Sequence, residues 1–278
     1  MPLPGNLDRD ALVFLERHEA RAHALPGRQI RELGDAFLLL DPLDREPFWN
    51  RVGAVRWPDD RRAFDRRLTE TIALFATLDR IPHLWPRPAL NEPVDLVGRL
   101  AAEGWQDVGA GYLMLLADPG RLEASLAARR DAAVTVERLH GLTGRRDRQS
   151  ASDASRVLAE AFDVAAGRQA SLELEILSVA EHDEMHLCLV RVAGEPAAVA
   201  RRTTFDGASF LSSIGTRPSF RGRGLGRLAT AVVAGDAMAE GSRWTYLGVH
   251  ADNEPALRLY RDVGFEPIGD PAPDLLLR

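Results

Sequence analysis

The sequence contains no lysine, and its 35 basic residues are all arginine. That excludes lysine-dependent chemistry within the chain, including a phosphate loop that ends in Gly-Lys-Ser/Thr. A GC-rich coding bias accounts for this arginine usage. Cysteine is almost as scarce. Cys188 is alone, so no intrachain disulfide can form, and its largely apolar surroundings mark it as a core side chain and not a nucleophile. A reducing cytoplasm is the expected compartment. No apolar run approaches the roughly 18 residues that span a bilayer, so no membrane partner is expected. The stretch Met1-Pro2-Leu3-Pro4-Gly5-Asn6-Leu7-Asp8 has no basic region followed by an apolar segment, so a signal peptide is not expected. There is no excess of positive charge either: the formal net charge is -6. This argues against a nucleic-acid partner, which calls for a basic face, and suits a cationic acceptor such as an amine.

What is present is a globular balance, 45% hydrophobic and 27% charged over 278 residues, enough for one large domain or two ordinary ones. Apolar spacing predicts helices over 10–23, 65–78, 94–102, 150–162, 224–240 and 254–263. Strands are expected over 36–40, 81–85, 112–116, 133–139, 187–192, 196–204, 209–216 and 244–249, the 187–204 pair forming a hairpin at Gly194. Asp118 to Arg130 reads as a connector broken by Pro119-Gly120. The alternation implies a mixed α/β (α+β) fold.

The two halves look related. Asn91-Glu92-Pro93 opens one helix and Asn253-Glu254-Pro255 opens another. Gly104-Trp105 follows the first and Gly264-Phe265 the second. Gly104 and Gly264 stand 160 positions apart, as do Gly109 and Gly269, whereas the asparagines are 162 apart. A two-residue length difference within the helix reconciles the offsets, and a duplicated domain follows. Two unrelated helices with similar start and stop signals are the alternative.

The chemistry is concentrated after the strand ending Ile214-Gly215-Thr216. Arg221-Gly222-Arg223-Gly224-Leu225-Gly226 forms a glycine-rich turn that opens a helix. Glycines let successive backbone amides converge, the helix N-terminus adds partial positive charge, and the arginines can add charged contacts, which together suit a pyrophosphate. A dinucleotide-binding loop is the rival reading, because Gly224 to Ala229 fits G-x-G-x-x-A. That motif expects an acid at the end of the next strand, where this sequence has Val249-His250, with Asp252 only in the following loop.

A second segment decides between them. Arg221, Gly224 and Gly226 fit Q/R-x-x-G-x-G/A. Downstream, Asn253, Ala256, Leu259, Tyr260, Gly264 and Phe265 fit N-x-x-A-x-x-L-Y-x-x-x-G-F. In this order the two patterns resemble the GNAT superfamily of acyl-CoA N-acyltransferases, over most of the chain after Ala133. The resemblance implies two GNAT-like domains, each a mixed, mostly antiparallel central sheet flanked by helices: a degenerate copy over 1–118, a linker over 119–131 and a catalytic domain over 132–278. It implies acetyl-CoA as co-substrate without a metal, held by backbone groups at Ile214, Gly215 and Thr216, by the loop from Arg221 through Gly222, Arg223, Gly224 and Leu225 to Gly226, and by Asn253. Tyr260 would be the general acid for the leaving thiolate, and a strand N–H would polarise the acyl carbonyl. Read from the residues alone, an aromatic at the helical spacing of Tyr260 is more often core than catalyst, and Asn253 can cap the helix that follows.

The activity implied is transfer of an acetyl group to a primary amine, on a small molecule or on a protein. No acid lies between Phe210 and Arg217 to serve as general base, which keeps a non-catalytic acyl-CoA-binding regulator open. His250 is the candidate base, with Asp206 and Glu195 behind it. In the first half the region 56–64 has no glycine, and Leu100 stands where Tyr260 does, so that copy has lost both loop and acid. Phe48, Trp49, Trp57 and Trp85 are expected in its core or lining a cleft. A homodimer is compatible with the sequence.

Overall fold

The computed structural model describes residues 7–25, 27–128, 131–140, 145–179 and 182–278. The chain divides into two compact units. The first comprises Met1–Leu113, Val249–Asn253 and Ile268–Arg278, and the second Met114–Gly248 and Glu254–Pro267.

In the first unit Asp8 caps α1 (Arg9–Ala24) by accepting the Ala11 N–H, and Asp60 caps α2 (Arg61–Thr77) through Ala63 N–H. Phe64, Leu68, Thr71 and Phe75 recur at three- and four-residue spacing and form the buried face of α2. The sheet of this unit contains β1 (Gln29–Glu32), β2 (Phe37–Leu40), β3 (Arg51–Gly53), β4 (His83–Leu84) and β5 (Gln106–Asp107), with α3 (Leu96–Ala102) before β5. Among the described residues of this sheet, β3 and β4 pair in parallel and the other named neighbours antiparallel. Leu38, Val52, Trp57, Phe64, Phe75, Leu84, Leu96 and Leu100 fill the core against it.

The second unit begins within β6 (Gly111–Leu116). It continues through α4 (Pro119–Ala127), β7 (Val134–Leu139), α5 (Arg145–Ala161), α6 (Ala166–Val179), β8 (Met185–Val192), β9 (Glu195–Phe205), β10 (Ala208–Thr216), α7 (Leu225–Ala239), β11 (Trp244–His250), α8 (Glu254–Val263) and β12 (Phe265–Pro267). The last strand, β13 (Leu275–Leu276), returns to the first sheet. The sheet orders are β1-β2-β3-β4-β13-β5 and β12-β6-β11-β10-β9-β8-β7.

The two orders expose the repeat. Each unit has a parallel strand pair joined through a helix, β3-α2-β4 and β10-α7-β11, followed by a helix and a strand, α3-β5 and α8-β12. In each sheet a strand from elsewhere in the chain separates that final strand from the parallel pair: β13 in the first and β6 in the second. Gly104 and Gly264, paired by offset, both end a helix in the left-handed region, at φ +89° and +109°. That is the conformation a helix C-terminal glycine supplies at least cost.

The sheets are therefore mixed and helix-flanked, as the resemblance implies. The chain path differs from three contiguous blocks. Residues 119–127, read as connector, are helix α4: Pro119 serves as a first-turn residue, and Asp118 caps the helix by accepting Arg121 N–H at 3.1 Å. Residues 129 and 130, the end of that connector, lie outside the described residues. Cys188 is buried in β8. Among the described residues no helix is long and apolar enough to cross a membrane.

Candidate functional site

The site is built where β10 leaves its partners. On one side the parallel pairing with β11 runs from Ala208↔Trp244 to Leu211↔Leu247 and no further, although β10 continues to Thr216. On the other side the ladder to β9 shifts between Ser212↔Arg201 and Gly215↔Val199. Ser213 and Ile214 thus oppose the single residue Ala200, and Ser213 takes φ +50° to make the bulge. A bulge frees one residue's backbone groups from the ladder. Ile214 therefore lies where strand amides and carbonyls are released from both neighbours.

Beyond Thr216 a short 3-10 turn over Pro218–Phe220 leads into the loop. Residues Arg221 to Gly224 are exposed, whereas Leu225 and Gly226 are buried. Gly222 and Gly224 hold φ +76° and +71°, and a Cβ on either would meet nothing within 4 Å. Gly224 is the N-cap of α7, whose first internal bond is Leu228 N–H to Gly224 C=O at 3.0 Å. The amides before Leu228 have no helical acceptor, which is the usual condition of a helix start and the basis of anion binding there. Gly226 has another role: its missing side chain lets the start of α7 approach Thr216 and Leu259.

The arginines divide their work. Arg221 donates to Ala161 C=O at 3.0 Å and to Thr216 C=O at 3.3 Å, so it braces the loop. Arg217 pairs with Glu160 and donates to Pro196 C=O. Arg223 lies over the Phe220 ring at 5.8 Å with its guanidinium exposed.

Tyr260 lies on α8 with Leu257 and Val263 as its buried companions. The ring is buried, 7% exposed, and meets Phe265 edge-on. Its hydroxyl has no hydrogen-bond partner among the described residues, yet it is not one of the atoms sealed from solvent. The core and acid readings are therefore compatible: the ring packs and the oxygen reaches out. Burial pushes the phenol above its ordinary pKa, so it stays protonated. Asn253 belongs to the segment Val249–Asn253 of the first unit and donates its N–H to His250 C=O.

Of the three base candidates, His250 is exposed and lies in the same segment of the first unit. Asp206 occupies the turn at the opposite end of β10 from the loop, with φ +48°. Glu195 starts β9 and lies 3.9 Å from Arg217. A group the sequence reading missed is closer to the bulge. Arg201, buried in β9, donates Nε–H to the Ser212 hydroxyl and an NH1 hydrogen to Glu175 Oε1 on α6, both at 3.0 Å. The sequence signal was available: Arg201-Arg202 interrupts an otherwise apolar strand.

At the matching place in the first unit, between β3 and the start of α2, lies an open depression of about 880 Å³. Arg56, Trp57, Asp59, Glu92, Asp95 and Arg99 are among its lining residues, with Arg99 paired to both Asp59 and Asp95. Carboxylates stand where the second unit offers glycines and arginines, which disfavours a diphosphate. Leu100, at the position of Tyr260, is fully buried core, and Trp57 is core as well.

A glycine-rich loop that opens a helix after a bulged strand, in a fold that occurs twice along the chain, is the arrangement that comparison with known proteins addresses. Residues 151–265 match the model of the Acetyltransferase (GNAT) family. A GCN5-related N-acetyltransferase from Kribbella flavida superposes with a TM-score of 0.70 at 23% identity, covering 98% of this chain and 96% of that one. A tandem GNAT protein from the clavulanic acid biosynthesis pathway superposes with a TM-score of 0.63 at 18% identity, covering 91% and 84%. An uncharacterised protein of Mycobacterium leprae (strain TN) is 47% identical over 57 residues, 20% of this chain and 15% of that protein's length. The match to the GNAT family thus lies within the second half of the chain, and the fold of the whole chain is that of two GNAT-like domains.

Proposed function

We propose that the protein is an N-acetyltransferase that moves the acetyl group of acetyl-CoA to a primary amine of a small molecule, by direct attack within a ternary complex in the second unit. The observation that carries the reading is the coincidence of the bulge at Ser213, the end of β10–β11 pairing at Leu211/Leu247, and the exposed left-handed glycines that open α7. In this reading Gly222 to Gly226, with Arg223, hold the diphosphate of the co-substrate. Backbone groups at Ile214, Gly215 and Thr216 hold its arm. The open space around Gly222 and Gly224 fits such a group, because any side chain there would fill it.

Tyr260 protonates the departing thiolate, and its raised pKa keeps that proton available at neutral pH. Released amides at the bulge stabilise the carbonyl oxygen as it gains charge. The amine loses its proton to water, since the Glu175 carboxylate near the bulge is paired with Arg201. We place the protein in the cytoplasm on the strength of its single buried cysteine.

The test is free thiol released from acetyl-CoA in the presence of small amines, an N-terminal peptide and no acceptor. Turnover with small amines alone is expected. Turnover with the peptide alone would reassign the acceptor to protein. Tight acetyl-CoA binding without turnover would make the chain a regulator.

A further inference from the structure

The first unit contains a buried guanidinium with too few partners. Arg51 opens β3 and is 3% exposed. Trp85 follows β4, the parallel neighbour of β3, and donates its backbone N–H to Val52 C=O at 2.9 Å, which sets the indole beside Arg51. The Arg51 guanidinium lies 4.1 Å from the Trp85 ring centroid and 4.4 Å from that of Phe48. Two rings thus cover it, and only its edge is left for hydrogen bonds. Along that edge one N–H reaches Phe48 C=O. The other four find no acceptor among the described residues, and the nitrogens that carry them are not sealed from solvent.

The nearby carboxylates do not supply one, because each is held by another base: Glu19 by Arg87, Asp41 by Arg28, and Asp274 by His83. Two donors in the same neighbourhood are sealed from solvent and lack partners. They are the Trp85 indole N–H and the Asn91 side-chain amide, whose Oδ1 already accepts the Arg87 backbone N–H. Donors outnumber acceptors here in a setting where an unmade hydrogen bond is costly. Stacking on two rings offsets part of the desolvation but supplies no acceptor. Burial drags the Arg51 pKa down to about 9, and the like charges of Arg87 and Arg28 add to the fall although Glu19 and Asp274 push it back up.

The group that answers a surplus of N–H donors on a planar fork is an oxyanion, whose oxygens each carry two lone pairs. We propose that the first unit binds a carboxylate or phosphate group of a small molecule, held by the Arg51 edge and the Trp85 indole N–H. The site stands independently of the acyltransferase reading. It would give the unit that lacks the glycine loop a ligand of its own.

The experiment follows thermal denaturation of the full chain in titrations of inorganic phosphate and, separately, acetate, with sodium chloride at matched ionic strength. A saturable rise in Tm with one or both ions, absent with chloride, is expected, and the two arms say which oxyanion fits. Trp85→Phe keeps the ring and loses the N–H, and should weaken the apparent affinity about three- to tenfold. Arg51→Lys keeps the charge but loses the fork, and should weaken it at least about tenfold. No saturable rise with either ion overturns the proposal, since water then suffices for the donors. Equal rises in wild type and Trp85→Phe also overturn it, and that variant decides the matter if Arg51→Lys does not fold.

Discussion

A Cβ added to Gly226 would stand 2.9 Å from the Thr216 hydroxyl oxygen and 3.2 Å from Leu259 Cδ1. The end of β10, the start of α7 and α8 thus meet at a point with room for a hydrogen only. Gly222 is the opposite case, open on all sides but held at φ +76°. Gly226→Ala should overpack that junction and cost about 1–3 kcal/mol. Gly222→Ala should cost roughly 1 kcal/mol, through backbone strain alone. Urea unfolding of both variants checks the ranking. A Gly226→Ala protein as stable as wild type would mean the helix start does not press on the strand.

Tyr260→Phe removes an oxygen and leaves the buried ring in place. In the proposed mechanism turnover falls about 10²-fold or more, while the acetyl-CoA Kd stays within about twofold, because the hydroxyl acts chiefly as the thiolate departs. Stopped-flow or steady-state thiol release beside a binding titration separates the two. The pH dependence has a definite sign. The folded-state pKa lies above the ordinary tyrosine value of about 10. The stability this contributes is complete below pH 10 and is lost as pH rises above it, when the unfolded chain ionises first. Tyr260→Phe should therefore unfold less readily than wild type on going from pH 9 to pH 11.

What could be read from the sequence depended on how local its cause was. The helices α2, α7 and α8 follow from apolar spacing that a single segment carries, and the β8–β9 turn from Ala193-Gly194, both at positive φ. The glycine loop was legible because its backbone, left-handed at Gly222 and Gly224, is one that few other residues adopt. By contrast β3, β5 and β13 are two or three residues long and exist only through distant pairing. Leu275 of β13 finds Leu84 on one side and Asp107 on the other. The helix α4 was hidden by Pro119-Gly120, which mark a break in one context and a first turn in another. Nothing within α6 announces that Glu175 will meet Arg201, 26 residues away, beneath the bulge. The partners of the candidate site were for this reason harder to see than its loop.

The Glu175–Arg201–Ser212 chain makes a separable prediction. Arg201 has 3% of its side chain exposed and Glu175 18%, so the pair is largely shielded from water. Removing the carboxylate leaves a buried cation short of a partner, a change that costs about 3–5 kcal/mol in buried pairs generally. Glu175→Gln keeps an acceptor oxygen and should cost about 1–3 kcal/mol. Ser212→Ala loses one bond to the guanidinium and should cost roughly 1.5 kcal/mol or less. The double variant should fall short of the sum of the two, because both act on the same guanidinium. A strictly additive double-mutant cycle in chemical denaturation would show that Arg201 does not couple them.

His186 gives the acid side of the stability curve. It stacks on His140 with centroids 4.2 Å apart and rings 11° from parallel. Burial, then the positive charge of Arg202, then His140, hold its pKa down to about 4 against an ordinary 6.5. The folded chain therefore keeps this imidazole neutral where the unfolded chain has already protonated it. The stability involved is intact above pH 6.5 and disappears as the pH drops through about 4. The side chain is only half-buried, so the amount is about 1–2 kcal/mol and not the full value of the shift. His186→Phe, which preserves a ring for His140 to stack on, should flatten the fall in unfolding free energy over that interval. An imidazole resonance for His186 that titrates near pH 6.5 by NMR would remove the burial argument, and the difference between the two proteins with it.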